Sequence, residues 1–101
     1  MSDLGLENWQ LRYGEVRPDC ILDLRPEVQF SRGHLSGAVS MPYNVFQAQS
    51  EAFTAEYSSI LLVDGAGARA AEMAVWLRAR GRPARYLVGG MSGWRGPLEK
   101  G

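Results

Sequence analysis

Ile60-Leu61-Leu62-Val63-Asp64-Gly65-Ala66-Gly67-Ala68-Arg69 decides the reading of this chain. Four consecutive apolar, mostly branched residues describe a strand buried on both faces, as in a parallel sheet. Two glycines follow within a short loop, and then a helical pattern begins. Ala70, Met73, Ala74 and Leu77 fall at i, i+3, i+4 and i+7, one apolar face of a helix over 69–80. Gly81 and Pro83 beyond it are ordinary stop signals. A glycine-rich strand-to-helix turn points backbone N–H groups inward, and such a nest at a helix N-terminus suits an anion. A thiol at the first loop position would be acidified there and act as a nucleophile. Asp64 occupies that position.

Working outward, the same alternation recurs. Ile21–Leu24, Ala38–Met41 and Arg85–Val88 read as three further short strands. Asn44–Phe53 reads as a weaker helix, and 26–32 as one short helical turn stopped by Gly33. Leu6–Tyr13 fits a helix better than an edge strand. Strands alternating with helices imply βαβ units: a central parallel sheet of four to five strands, with helices on both faces in three layers. In such sheets the ligand crevice lies beyond the carboxyl ends of the strands. Asp23–Arg25, Asp64–Arg69 and Gly89–Trp94 are all placed there, whereas Cys20 is placed at the amino end.

Composition sets limits around this pattern. The chain has 101 residues, the length of one domain, 1–101. Its 46% hydrophobic content argues against disorder. Eleven Lys+Arg balance eleven Asp+Glu, so nothing suggests a nucleic-acid or membrane-surface partner. No apolar run of about 18 residues and no export signal is visible. One cysteine and one histidine cannot build a Cys/His zinc site or an internal disulfide, and no cofactor is expected. A reducing, cytoplasmic home is the expectation.

Three segments in order resemble the rhodanese homology domain. The first is Ile21-Leu22-Asp23-Leu24-Arg25, then Phe30-x-x-Gly33-His34-Leu35-x-Gly37-Ala38, then Met41-Pro42. It is similar to the family's D-x-R … E-[FYW]-x-x-G-H-I-x-G-A … I-P run, with Gln29 at the glutamate position. The second is the 64–69 loop, which resembles the family's C-x-x-G-x-R-[ST] loop. Gly67 and Arg69 are kept, Asp64 stands at the cysteine position and Ala70 at the hydroxyl position. The third, Leu87-x-Gly89-Gly90-x-x-Gly93-Trp94, resembles L-x-G-G-x-x-x-W. The match covers roughly 21–94, with 1–13 a poorly matched N-terminal segment.

The resemblance implies sulfur transfer through a loop cysteine persulfide, or a related phosphatase or arsenate-reductase chemistry. Each needs the thiol that this loop lacks. The expectation is therefore a domain inactive as a sulfurtransferase, serving in binding or regulation. Its partner would be another protein or an active rhodanese-type domain. The alternative is a sulfurtransferase or phosphatase-type enzyme with an atypical or partner-supplied nucleophile. The degenerate loop comprises Asp64, Gly65, Ala66, Gly67, Ala68 and Arg69, with Asp64, Arg69 and Arg25 as binding candidates.

Each candidate also has a structural role to weigh. Asp64 can accept the loop N–H bonds and pair with Arg69, filling the anion site from inside. Asp23 and His34 fit structural hydrogen bonds to nearby backbone, and Cys20 a small apolar strand residue. Trp94 and Trp76 fit core packing, Val75 and Ala79 an exposed face. Gly89-Gly90 fits positive φ or a close backbone approach beside the loop. The loop also matches G-x-G-x-x-G/A through Gly65, Gly67 and Ala70. A dinucleotide site would need a carboxylate ending the next strand, and Tyr86-Leu87-Val88-Gly89 has none.

Overall fold

The computed structural model describes residues 4–101. Five strands form one sheet: β1 (Gly5–Leu6), β2 (Cys20–Asp23), β3 (Ala38–Ser40), β4 (Ile60–Val63) and β5 (Ala84–Leu87). The helices are α1 (Asn8–Arg12), α2 (Glu27–Arg32), α3 (Tyr43–Phe53) and α4 (Ala68–Arg78), with a 3₁₀ turn over Gly90–Gly93. The strand order is β1-β5-β4-β2-β3, and every pairing is parallel. This is the layered α/β architecture that the alternation predicts.

Side-chain alternation along β4 divides the core. Ile60 and Leu62 face one side with Leu22, Phe46, Met73 and Leu77; Leu61 and Val63 face the other with Leu6, Leu35 and Leu87. All four β4 residues are buried, which is why this strand has no polar alternation to show in sequence. The apolar stripe of α4 is the one the spacing picks out: Ala70, Met73, Ala74 and Leu77 are its buried residues. Trp76 packs against the first core half and Trp94 against the second, while Val75 and Ala79 are exposed.

Several boundaries differ from the sequence reading, β3, α3 and the start of α4 by a single residue. The segment Leu6–Tyr13 is both things at once: Leu6 belongs to an edge strand paired with β5, and only Asn8–Arg12 is helical. The competing signals overlap because two strand residues leave too little alternation to recognise. Second, β2 and β5 each begin and end one residue earlier than expected, at Cys20 and Ala84. The neighbour strand sets this, since Cys20 is in register with Ile60 and Ile60 with Ala84. Third, α4 ends at Arg78 rather than Arg80, and the chain turns over at Gly81 with φ +83°.

The topology places one feature of consequence. From β2 the chain steps outward to β3 on one side, then returns to lay β4 on the other. The loops leaving β2 and β4 therefore diverge, and a crevice opens between them at the carboxyl edge, the usual ligand position in open parallel sheets.

Candidate functional site

The loop after β4 wraps around its own first side chain. Asp64 is 7% exposed. Its Oδ1 accepts the Gly67 N–H at 2.6 Å, and its Oδ2 accepts the N–H groups of Arg69 at 2.9 Å and Ala70 at 3.1 Å. These are orphan donors at the start of α4, the end of a helix that attracts negative charge. The nest predicted from the glycines exists, and a tethered carboxylate fills it.

The second wall is the turn after β5. Gly90 has φ +58°, and a Cβ there would lie 2.5 Å from the Asp64 carbonyl oxygen and 2.7 Å from the Gly65 carbonyl carbon. That contact lets the Met91 N–H reach the Asp64 carbonyl at 2.8 Å and the Ser92 N–H reach the Gly65 carbonyl at 2.9 Å. Gly67, with φ +108°, meets the other side of this turn, where a Cβ would lie 3.1 Å from the Gly89 nitrogen. Both readings of Gly89-Gly90, positive φ and close approach, hold together.

The third wall comes from β2. Asp23 is 1% exposed and clamps Arg25 in a fork, Nε to Oδ1 at 3.0 Å and Nη2 to Oδ2 at 2.8 Å. The same Oδ1 accepts the Arg25 backbone N–H, and Nη2 also donates to the Gly33 carbonyl at 2.8 Å. Planar two-point pairing of this kind fixes orientation as well as charge. Arg25 thus ties the end of β2 to the end of α2. His34 completes that corner: its Nδ1 lies 2.8 Å from the Phe30 carbonyl, and its ring stacks on Phe30 at 3.8 Å.

Arg69 requires a correction. Its guanidinium does not pair with Asp64. It lies over the Tyr43 ring, 4.4 Å from the centroid, and only its backbone N–H reaches the carboxylate. The reason is geometric: the helical start turns the side chain outward while the N–H points into the loop. Tyr43, absent from the sequence candidates, is the residue that seats it. No local spacing signals the pair, since β3 and α3 bring Tyr43 to α4 through the fold.

A cavity of about 290 Å³ remains above the filled loop, between Leu24, Pro26, Gln29 and Ala66, with Arg25 and Arg69 at its edges. Cys20 is not near it. It is paired with Ile60, four residues before Asp64, which at about 3.3 Å per residue puts it about 13 Å away. Burial first, and the neighbouring Asp19 charge second, push its thiol up to about 11. Among the described residues no cluster of three metal-ligating side chains occurs. No described helix is long and apolar enough to cross a membrane.

Comparison with known proteins agrees with this architecture. Among solved structures, the rhodanese-like domain protein of Staphylococcus aureus superposes with a TM-score of 0.82 at 24% identity, covering 96% of this chain and 97% of that one. The rhodanese-related protein of Thermoplasma volcanium gives 0.84 at 16% identity, covering 94% and 96%. The rhodanese-like domain of the Anabaena protein Alr3790 gives 0.73 at 25% identity, covering 98% and 80%. No curated protein matches. The family pattern for the rhodanese-like domain matches residues 5–97, nearly the whole chain, and the chain belongs to that family.

Proposed function

We propose that this domain is a binding or regulatory module that does not itself transfer sulfur. One observation carries the reading: the Asp64 carboxylate accepts three N–H bonds of the loop and so occupies the anion site from within. By resemblance, Asp64 stands where the family places its cysteine. A carboxylate there cannot carry a persulfide, and it repels a dianionic donor such as thiosulfate. Cys20 offers no substitute, being buried, protonated at neutral pH and at the far end of the strands. A free thiol of this kind suits a reducing compartment, and we place the protein in the cytoplasm.

The test is thiosulfate:cyanide sulfurtransferase activity of the wild type, Asp64→Cys, Asp64→Ala and Cys20→Ala. The expected result is a silent wild type and turnover in Asp64→Cys, because the remaining loop donors and the Gly90 buttress are in place. Wild-type turnover would overturn the reading, and its loss in Cys20→Ala or in Asp64→Ala would identify the group that carries it.

A further inference from the structure

Three cavities at the carboxyl edge of the sheet share walls. The one above the loop shares Leu24, Pro26 and Arg69 with a second of about 220 Å³ that reaches Tyr43 and Asn44. It shares Arg25 and Gln29 with a third of about 270 Å³ that reaches Arg32 and Leu98. Together they make one trough running from α3, across the loop, to α2.

Its charges are one-sided. The ionisable side chains lining it are Arg25, Arg32, Arg69 and Asp64, together with the Tyr43 phenol. Two of these are already satisfied: Arg25 is forked onto Asp23, and Asp64 is turned onto the loop N–H groups. Arg32 and Arg69, toward opposite ends, have no carboxylate within ion-pair distance among the described residues. Arg69 is held in place by the Tyr43 ring, which leaves the edges of its guanidinium open to a carboxylate. Between the two arginines the walls are apolar, with Leu24, Pro26 and the half-exposed Leu98.

We infer that this trough docks an extended, acidic segment of a partner polypeptide, with carboxylates meeting Arg69 and Arg32 and apolar side chains lying between them. The inference deepens the binding-module reading and rests on it. The filled loop is what selects the class of ligand. A small oxyanion would need the N–H nest, which Asp64 holds, so the available cations are those on the rim. Two free arginines with apolar walls suit a few spaced carboxylates. They do not suit a nucleic acid, which needs a continuous basic stripe that a chain of zero net charge lacks.

The experiment uses the whole chain, isotope-labelled, and an eight-residue peptide alternating Glu and Leu. Amide shifts and fluorescence anisotropy are followed at low ionic strength. The expected result is shifts confined to Asn44, Gly65–Arg69 and 29–33, with binding weakened about tenfold in Arg32→Glu/Arg69→Glu and unchanged in Arg12→Glu, which lines a different cavity. Weakening by added salt accompanies it. Absence of peptide binding, equal loss in Arg12→Glu, or tighter binding of an oligothymidylate through the same arginines would each overturn the inference. So would displacement of the peptide by inorganic phosphate beyond that by chloride of equal ionic strength, since a small-anion site would then be open. The binding-module reading fails on a different result, wild-type sulfur transfer, and peptide docking is scored whichever way that assay falls.

Discussion

Asp64→Ala removes the group that the loop is folded around, and its cost can be worked from the three bonds. The Gly67 and Ala70 N–H bonds to the carboxylate are buried, whereas the Arg69 N–H bond is only partly so and borders the open cavity. Water entering from that cavity replaces the third bond at little loss. The two buried donors are left poorly satisfied, at about 1–3 kcal/mol each. A net destabilisation of about 3 kcal/mol follows, and at about 4–8 °C per kcal/mol for a domain of this size Tm falls by about 12–24 °C. Sulfate then supplies a second readout. It raises the stability of any protein through exclusion, so the quantity of interest is the excess gain of the variant over the wild type. An anion entering the vacated nest at ten times its Kd adds about 1.4 kcal/mol by mass action. Asp64→Asn is the matched control. It keeps the shape, but its amide group meets the Gly67 N–H donor to donor, so it is destabilised and gains no excess from sulfate. The assay is urea and thermal unfolding in a chloride buffer and in sulfate. A wild-type-like Asp64→Ala, within about 0.5 kcal/mol, would refute the idea that the carboxylate organises the loop.

Gly90→Ala should destabilise by more than about 2 kcal/mol and broaden the Gly65–Gly67 amide signals. It combines a positive φ with a Cβ driven into the Asp64 and Gly65 backbone, and a wild-type Tm would show that the turn has slack. Cys20, with its thiol pushed up to about 11, lowers stability as pH rises above the unfolded value of about 8.5, with no effect below it. Alkaline unfolding of Cys20→Ala should lack that component. Asp19 lies below its ordinary value, chiefly through the Ser59 N–H, with the Ser58 N–H and both hydroxyls adding. Its stabilising effect is present above about pH 4 and is lost as pH falls through the lowered value. Acid unfolding of Asp19→Asn should therefore be flatter below about pH 4 than that of the wild type.

Much of the architecture was legible because its signals are local. The unbroken β4 run, the α4 stripe and the stop at Gly81 each depend on residues within a few positions of one another. The loop was legible for the same reason, since the Asp64 carboxylate bonds to residues three, five and six positions ahead. What escaped is non-local. The Asp19 clamp reaches Ser58 and Ser59, about forty positions on, and is built when β2 pairs with β4. Tyr43 meets Arg69 only because α3 and α4 share one face of the sheet. Local reasoning also favoured the wrong partner for Arg69. Opposite charges five residues apart invite an ion pair, yet the helix N-terminus supplies three backbone donors already aimed at the carboxylate. The side chain would have to fold back over the first turn to compete.

The loop and the rim of this domain answer to different constraints. The loop is held by main-chain bonds to the Gly90 turn and, at the start of α4, by the side chain at position 64. Any residue there must satisfy the same inward N–H groups, and a carboxylate does so without an external ligand. Once the nest is filled, the loop becomes a fixed floor. The groups still free to recognise something are those that the floor leaves facing solvent, namely Arg69 on Tyr43 and Arg32 on α2. On the proposed reading, the carboxylate at position 64 closes the deep position to small anions and leaves recognition to the trough at the rim. On this view the Asp64→Cys substitution that would restore chemistry should leave peptide docking intact, because none of the rim residues touches the Asp64 side chain through its own.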